Sequence, residues 1–338
     1  MPVAPNNDAP SSKSEVLHKR YWLWSFLLFV AVFAFVLYYF AEIKKEFVLL
    51  EKINPGWLFL ALVGQLLTYC FTALIYLVLL RCYKEQQLPG LWQLVKASIV
   101  SLFFNQTVPS AGISGNAYFF RFLSGYKMST QHIMSLIITE LVIFYAAMEL
   151  LLLLLLAGSL YLSGTPHVFK VVLIAGMLIY LLFGVAIGFA GRNNWIGRLF
   201  KRFASKHRLA DQLSTSELQL GAFLRQHQRS VLKALLIQLL VVAADGFTLY
   251  ALFVGLGISL SVFHIVICLV ATKIVSVLPF LPGGLILYES SMTYFFVTLG
   301  VPLASAVIIT LVYRLLSFWI PIPLGFVFNK RWHKVAAG

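Results

Sequence analysis

The hydrophobic positions of this chain form long continuous runs, unlike the one-sided patterns of soluble helices. A helix needs about 20 apolar residues to cross about 30 Å of hydrocarbon, and several runs reach that length. The pattern therefore predicts six full membrane crossings. They cover Tyr21–Ala41, Trp57–Leu80, Thr130–Ala157, Val168–Ala190, Val231–Gly255 and Val301–Phe328.

Two regions interrupt this pattern with proline, glycine and small polar residues. The first, 91–125, contains Asn105-Gln-Thr-Val-Pro-Ser-Ala-Gly-Ile-Ser-Gly-Asn116 between two short stretches compatible with helix. The second, 261–299, is broken by Pro279, Pro282, Gly283 and Gly284 and resumes with the carboxylate of Glu289.

Such breaks open a helix, because proline lacks an N–H donor and its ring clashes with the preceding turn. Broken backbone at membrane depth is tolerated only where it is buried in protein or lines a watery cavity. Each region is therefore predicted to be a re-entrant hairpin of two short helices. For the first region, two ordinary crossings joined by an outer loop are the open alternative.

The distribution of charge predicts the orientation. The chain carries 26 Lys and Arg residues and a net charge of +14, and most of the basic residues flank apolar runs on one side, as the positive-inside rule describes. Both termini and the basic loop 191–230 are predicted to be cytoplasmic, and the two hairpins to enter from opposite faces. The exceptions are Lys44, Lys45, Lys52 and Lys170 outside, and Lys96, Lys273 and Arg314 at membrane depth.

Composition excludes a soluble domain, since 60% of the residues are hydrophobic, 11% are charged and the mean hydropathy is +0.89. The fold class predicted is an all-α polytopic integral membrane protein. Residues 17–330 form one transmembrane domain, between a disordered tail, 1–16, and a short tail, 331–338. Basic residues beside the membrane favour anionic inner-leaflet lipids as partners of the 191–230 loop, and not nucleic acid.

Seven ionisable residues are predicted at membrane depth. An unpaired charge there costs about 2.5–3.5 kcal/mol, so most of them must find partners or touch water. The predicted cluster joins Glu140, Lys273, Glu289 and Arg314, with Asn105, Asn116 and Arg121 nearby, as a polar path for a headgroup. A neutral network of ion pairs that holds the helices together is the structural alternative. The seven are Lys96, Glu140, Glu149, Asp245, Lys273, Glu289 and Arg314.

Enzyme signatures are missing from the sequence. It has no His-Glu-x-x-His zinc motif, no phosphate-binding Gly-Lys-Ser/Thr loop and no Gly-x-Ser-x-Gly elbow. Its three cysteines show no disulfide or zinc-ligand spacing. The sequence therefore predicts a protein that is not an enzyme, with no catalytic residue, metal or cofactor.

The order of the motifs resembles a known family. Along the chain come Pro109–Arg121, Glu140, Leu278–Glu289, Gly300-Val-Pro302 and Tyr313-Arg314. In this order and approximate spacing they are similar to the lysylphosphatidylglycerol synthetase transmembrane (flippase-like) family, over about residues 15–330. The chain resembles a stand-alone member without the soluble domain that transfers amino acids.

The resemblance implies a flippase-like fold that moves phospholipid or glycolipid headgroups between leaflets. The candidate substrate-binding residues combine the two broken motifs with the charged cluster. They are Asn105, Pro109, Gly112, Asn116, Arg121, Glu140, Lys273, Pro279, Pro282, Gly283, Glu289 and Arg314.

This chain departs from the family at two positions. The family often has Gly-Glu where this chain has Gly115-Asn116, and Glu-Arg where it has Glu140-Leu141. Either a compensated loss of one charge pair or a change of substrate accounts for the difference.

The leading hypothesis is a lipid translocator of the bacterial inner membrane, in which the two hairpins line a polar path for the headgroup. One alternative is a non-transporting membrane partner that docks a lipid- or glycan-modifying enzyme through the 191–230 loop. Another is an intramembrane lipid-linked transferase, which the dispersed carboxylates do not favour. A second copy of the chain and a lipid-modifying enzyme are the candidate protein partners.

Overall fold

The computed structural model describes residues 53–83, 87–108, 113–161, 164–192, 220–276, 284 and 286–336. The predicted first crossing, Tyr21–Ala41, and the predicted tail 1–16 lie outside the described residues, as does most of the basic loop, 193–219. All regular secondary structure in the described residues is helical. In chain order the helices are α1 Pro55–Leu80, α2 Leu91–Thr107, α3 Ile113–Ser124, α4 Thr130–Tyr161, α5 His167–Arg192, α6 Leu220–Gln226, α7 Gln228–Gly255, α8 Val262–Ser276, α9 Leu287–Thr298, α10 Leu303–Arg314 and α11 Pro321–Ala336, with a π-helical segment, Leu315–Trp319, between the last two.

Five of the described helical stretches are long and apolar enough to cross a membrane. They coincide with five of the six predicted crossings, and the sixth falls on residues outside the described part. The polytopic all-α fold predicted from the hydrophobic pattern is therefore confirmed. The five are Pro55–Leu80, Thr130–Tyr161, His167–Ile187, Gln228–Gly255 and Leu303–Lys330.

The first of these spans begins at a defined cap. The side chain of Asn54 accepts a hydrogen bond from the N–H of Gly56 at 2.9 Å, and Pro55 occupies the first turn, where no intrahelical N–H bond is lost. The N–H of Asn54 donates to the carbonyl of Gly255 at 2.9 Å. Helix α1 therefore starts where α7 ends, and the two spans pack antiparallel.

The helices of the two interrupted regions are too short to cross. Helices α2 and α3 have 17 and 12 residues, and α8 and α9 have 15 and 12. At 1.5 Å per residue the longest of them measures about 25 Å, less than the hydrocarbon thickness. Helix α2 packs against α3, and α8 against α9. These lengths support two helical hairpins over two pairs of ordinary crossings.

The last span changes its helical pitch near its middle, and the reason lies in its backbone hydrogen bonds. In the π-helical segment the N–H of Ile320 donates to the carbonyl of Leu315, five residues back. The carbonyl of Leu316, four residues back, therefore does not receive the bond that an α-helix would give it. Pro321 has no N–H for the carbonyl of Ser317. Both carbonyls find side-chain donors on other helices: the Tyr69 hydroxyl donates to Leu316 at 3.1 Å, and Gln106 Nε2 to Ser317 at 3.2 Å.

The two hairpins pack on opposite halves of this last span. In the first, Phe103 lies against Gly325 and Gln106 reaches Ser317, so α2 runs antiparallel to α11 with its tip at the π-helical segment. In the second, α9 runs antiparallel to α10, because Thr293 bonds to Thr310 and Glu289 to Arg314. The described residues next to both tips, Gln106 and Glu289, therefore meet the last span at residues 314–317, as expected for hairpins that enter from opposite faces.

The contact between α2 and α11 leaves no room for a side chain at Gly325. A Cβ there would overlap the Cβ of Phe103 and lie 3.1 Å from the carbonyl oxygen of Ile99, and neither atom can rotate away. We expect Gly325→Ala to destabilise the protein by about 1–3 kcal/mol, the usual cost of overpacking. The measurement is the thermal unfolding midpoint of the purified protein in detergent.

The control is Gly221→Ala in α6, because a Cβ at that glycine meets no atom within 4 Å. Alanine is the better helix former by about 1 kcal/mol, so this variant should unfold at the same temperature as the wild type or higher. Equal midpoints for Gly325→Ala and the wild type would contradict the close packing of the first hairpin on the last span.

Candidate functional site at the hairpin junction

The tip of the second hairpin is joined to the last span by an ion pair. Glu289 lies in the first turn of α9, and Arg314 ends α10. Arg314 Nε donates to Glu289 Oε1 at 2.6 Å. Glu289 and Arg314, two members of the predicted cluster, are therefore in direct contact.

Two aromatic rings flank the guanidinium of Arg314. Its central carbon lies 4.4 Å from the ring centroid of Tyr288 and 4.3 Å from that of Phe318. Phe318 follows Arg314 by four residues and therefore shares its helix face. A cation over an aromatic face gains about 0.5–2 kcal/mol, the upper value applying when it is desolvated. The rings thus stabilise a cation that the surrounding apolar helices would otherwise exclude.

A second ion pair lies on the same hairpin, in the last turn of α8. Lys273 Nζ donates to Asp245 Oδ2 at 2.6 Å. Asp245, on α7, also accepts a bond from the hydroxyl of Thr68 on α1, at 3.1 Å. Three helices are therefore linked by one carboxylate, both of whose oxygens are bonded.

Tyr288 is buried beside the Arg314–Glu289 pair, with its ring centroid 4.4 Å from the guanidinium carbon of Arg314. Its ring lies 6.4 Å from that of Tyr313 in a stacked arrangement. We call Asp245, Lys273, Glu289 and Arg314, together with Tyr288, the junction cluster. Its two cations and two carboxylates have a net formal charge of zero, and this pairing lowers the free-energy cost of keeping four charges at membrane depth.

The members of the junction cluster differ in exposure. The side chains of Asp245 and Arg314 are 8% and 7% exposed, whereas those of Lys273 and Glu289 are 27% and 22% exposed. Each pair therefore has an inner member and an outer member, and the outer members have opposite signs. The cluster can offer an ammonium and a carboxylate to a polar group that approaches it.

The structure gives Glu140 a different partner from the one predicted. Its carboxylate lies close to the hydroxyl of Tyr76 on α1, and the Tyr76 ring stacks on Phe119 of α3 at 4.1 Å between centroids. Glu140 therefore lies beside the first hairpin. Further along α4, the ring of Tyr145 lies 5.8 Å from that of Tyr180 on α5.

The polar residues of the first hairpin mainly close the hairpin itself. Asn105 Oδ1 accepts from the N–H of Gly115 at 2.7 Å and from Ser114 Oγ at 3.3 Å, so it caps the start of α3 from α2. Asn116 is partly buried, and Arg121 is exposed. Their contact with a substrate stays a prediction. Of the other candidate site residues, Pro109, Gly112, Pro279, Pro282 and Gly283 lie outside the described residues.

Three members of the site were missed by the sequence analysis. Asp245 was counted among the ionisable residues at membrane depth but was not assigned to the cluster, and Tyr288 and Phe318 were not considered. A signal for the aromatic residues was present. Tyr288 precedes Glu289 directly, and Phe318 lies one helical turn beyond Arg314. Asp245 and Lys273 lie on different helices, so helical spacing could not have paired them, and only the folded structure brings them together.

One strained backbone position adjoins the cluster. Ile286, immediately before α9, has φ 71° and ψ −51°, a region that a β-branched residue rarely adopts. Two residues earlier, the buried Gly284 has φ 66° and packs on Ser276 at the end of α8. These two conformations directly precede the first turn of α9, which carries Tyr288 and Glu289.

Comparison with known proteins gives a consistent result. The sequence matches the family described as Lysylphosphatidylglycerol synthase TM region over residues 22–325. It is 22% identical over 312 residues to the UPF0104 membrane protein PH1989 of Pyrococcus horikoshii, covering 86% of this chain and 91% of that protein. It is 38% identical over 82 residues to a UPF0104 membrane protein of Methanothermobacter thermautotrophicus, covering 24% of this chain and 25% of that one.

The family match includes four of the described crossings in full, most of the fifth and the described helices of both hairpins, and it agrees with the resemblance carried by the motifs of those hairpins. The chain is a multi-pass membrane protein that belongs to the lysylphosphatidylglycerol synthase transmembrane family.

Proposed function

We propose that this protein moves lipid headgroups between the two leaflets of its membrane. The observation that carries the proposal is the junction cluster, a neutral set of four charges at the point where the tips of two opposed hairpins meet on the last span. A headgroup that crosses hydrocarbon loses its water, and paired charges can replace that hydration. The proposed membrane is the inner membrane of a bacterium, although the two relatives named above are archaeal.

The partial exposure of Lys273 and Glu289 supports a role beyond holding helices together. A buried ion pair needs complete hydrogen bonding to offset its desolvation, and both oxygens of Asp245 are bonded in this way. In Glu289, by contrast, one oxygen bonds to Arg314 and the other, Oε2, has no hydrogen-bond partner in the described part of the chain. In this proposal the lipid itself is not chemically altered by the protein.

The first test is transfer in reconstituted vesicles. Labelled phospholipids with different headgroups are incorporated in both leaflets, and an impermeant reductant reports their movement by bleaching the outer leaflet. Glu289→Gln and Arg314→Ala should each slow transfer about tenfold or more, since each removes one charge-assisted hydrogen bond of roughly 1.5–3 kcal/mol. Thermal unfolding in detergent shows whether the variants are folded.

The control variant is Glu149→Gln. Glu149 is a second carboxylate of a spanning helix, on α4, and no ion pair joins it to the junction cluster among the described residues. Transfer by this variant should match the wild type. Normal transfer by both Glu289→Gln and Arg314→Ala would refute the site, and no transfer of any lipid by the wild type would refute the function.

A second test separates a structural ion pair from a functional one. Asp245→Asn leaves the Lys273 ammonium without its partner, and we expect a loss of about 3–5 kcal/mol of stability, as for other broken buried pairs. Adding Lys273→Met removes the uncompensated charge, so the double variant should recover most of the lost unfolding temperature. We expect it to transfer lipid at no more than about a tenth of the wild-type rate, because it has lost the charged contact that Lys273 would make with the headgroup.

Recovery of both stability and transfer in the double variant would mean that the Asp245–Lys273 pair only holds the helices together. Failure of the double variant to regain stability would contradict the pairing itself. The two measurements are thus independent of each other.

A further inference from the structure

The two halves of the last span are attached to different hairpins, on either side of the π-helical segment Leu315–Trp319. Before the segment, α10 is bonded to α9, where Thr293 Oγ1 donates to Thr310 Oγ1 at 3.3 Å. After it, α11 packs closely on α2, with Phe103 against Gly325. The segment therefore connects a half held by the second hairpin with a half held by the first.

Main-chain hydrogen bonds keep a helix straight, and this segment lacks several of them. The N–H of Ile320 reaches back to Leu315 and not to Leu316. Pro321 and Pro323 have no N–H for the carbonyls four residues before them. Helices bend at prolines and at π-helical turns, and both causes fall on this one stretch. The span is therefore most easily bent between the two halves.

The carbonyls freed by the break are bonded to side chains. The hydroxyl of Tyr69 donates to the carbonyl of Leu316 at 3.1 Å, and the amide of Gln106 to that of Ser317 at 3.2 Å. A carbonyl oxygen accepts over a broad range of directions, and a side-chain donor can rotate about its own bonds. A small bend can thus occur without leaving either carbonyl unsatisfied in lipid, where the loss would be costly.

Building on the proposed function, we infer that the segment Leu315–Trp319 is a hinge. When the span bends there, α11 and α2 move together relative to α9 and α10, and the polar path between the hairpins opens toward one leaflet at a time. Alternating access requires two bodies that move against each other about a central site. Arg314, which holds the second hairpin through Glu289, directly precedes the hinge.

The first test measures the distance between the two bodies by pulsed electron paramagnetic resonance in lipid nanodiscs. Spin labels replace the exposed Lys330, near the end of α11, and the exposed Arg229, at the start of α7, which packs on α10. A bend of about 20° would move position 330 by roughly 8 Å, since it lies about 20 Å beyond the hinge. We expect two populated distances for this pair.

The control pair places both labels on one body. Leu303 begins α10 and Val262 begins α8, both are exposed, and α9 packs on both helices. We expect a single narrow distance for this pair. Both pairs are made in a background in which alanine replaces the three cysteines, Cys70, Cys82 and Cys268. One narrow distance for the pair across the hinge would overturn the inference.

Pro321→Ala tests the hinge by stiffening it. The alanine supplies an N–H for the carbonyl of Ser317 and so adds a main-chain bond across the break. The thermal unfolding midpoint should stay equal or rise, the two distances should merge toward one, and vesicle transfer should slow about fivefold to tenfold, the effect of one hydrogen bond. The matched control is Pro302→Ala, because Pro302 lies just before α10 and interrupts no helix. This control should match the wild type in all three measurements.

A further pair of variants tests whether Ser317 can change its donor. Gln106→Leu removes the side-chain bond to the Ser317 carbonyl and should lower the unfolding midpoint. Adding Pro321→Ala should restore the midpoint, because the new N–H replaces the lost amide. No recovery in the double variant would contradict the exchange of donors on which the hinge depends.

The hinge and the proposed function fail in different ways. Two distances across the hinge in a wild-type protein that transfers no lipid would refute the function alone. Lipid transfer by a protein whose distances and transfer rate are unchanged in Pro321→Ala would refute the hinge alone.

Discussion

The fold around the hairpin junction depends on the position of a single cation, the guanidinium of Arg314. It ends the first half of the last span, bonds to Glu289 at the tip of the second hairpin and lies between the rings of Tyr288 and Phe318. In hydrocarbon an arginine without these partners is costly. Because the ion pair and the Tyr288 contact join the start of α9 to the end of α10, the hairpin cannot shift along the last span without losing both.

The backbone of the last span also needs hydrogen-bond partners from other helices. Its π-helical segment and Pro321 leave the carbonyls of Leu316 and Ser317 without helical partners, and an unsatisfied carbonyl in lipid costs several kcal/mol. Tyr69 and Gln106 supply the missing donors. Because Gln106 lies near the tip of the first hairpin, the bond that its side-chain amide donates to the Ser317 carbonyl holds this hairpin at the midpoint of the span, and the Arg314–Glu289 ion pair holds the second. Both hairpins are thus joined to neighbouring residues of the last span.

The sequence predicted the elements of this arrangement better than their pairing. Proline and glycine marked both breaks, because their effect on a helix is local, and the charge of Glu289 required a base, which Arg314 supplies. The partner of Glu140 could not be predicted, since the face of a long apolar helix that meets a given neighbour is set by packing. The partner of Lys273 was missed for the same reason. The π-helical segment has no sequence signal except Pro321, and its role depends on Tyr69, which is more than two hundred residues away in the chain.

The broken helix also explains why opposite charges stand at the junction. Lys273 lies in the last turn of α8, where backbone carbonyls accumulate negative partial charge, and Glu289 lies in the first turn of α9, where free N–H groups are positive. Each helix end favours the charge that it carries. A continuous helix would provide neither end at this depth. The break therefore places two helix ends of opposite partial charge beside Lys273 and Glu289.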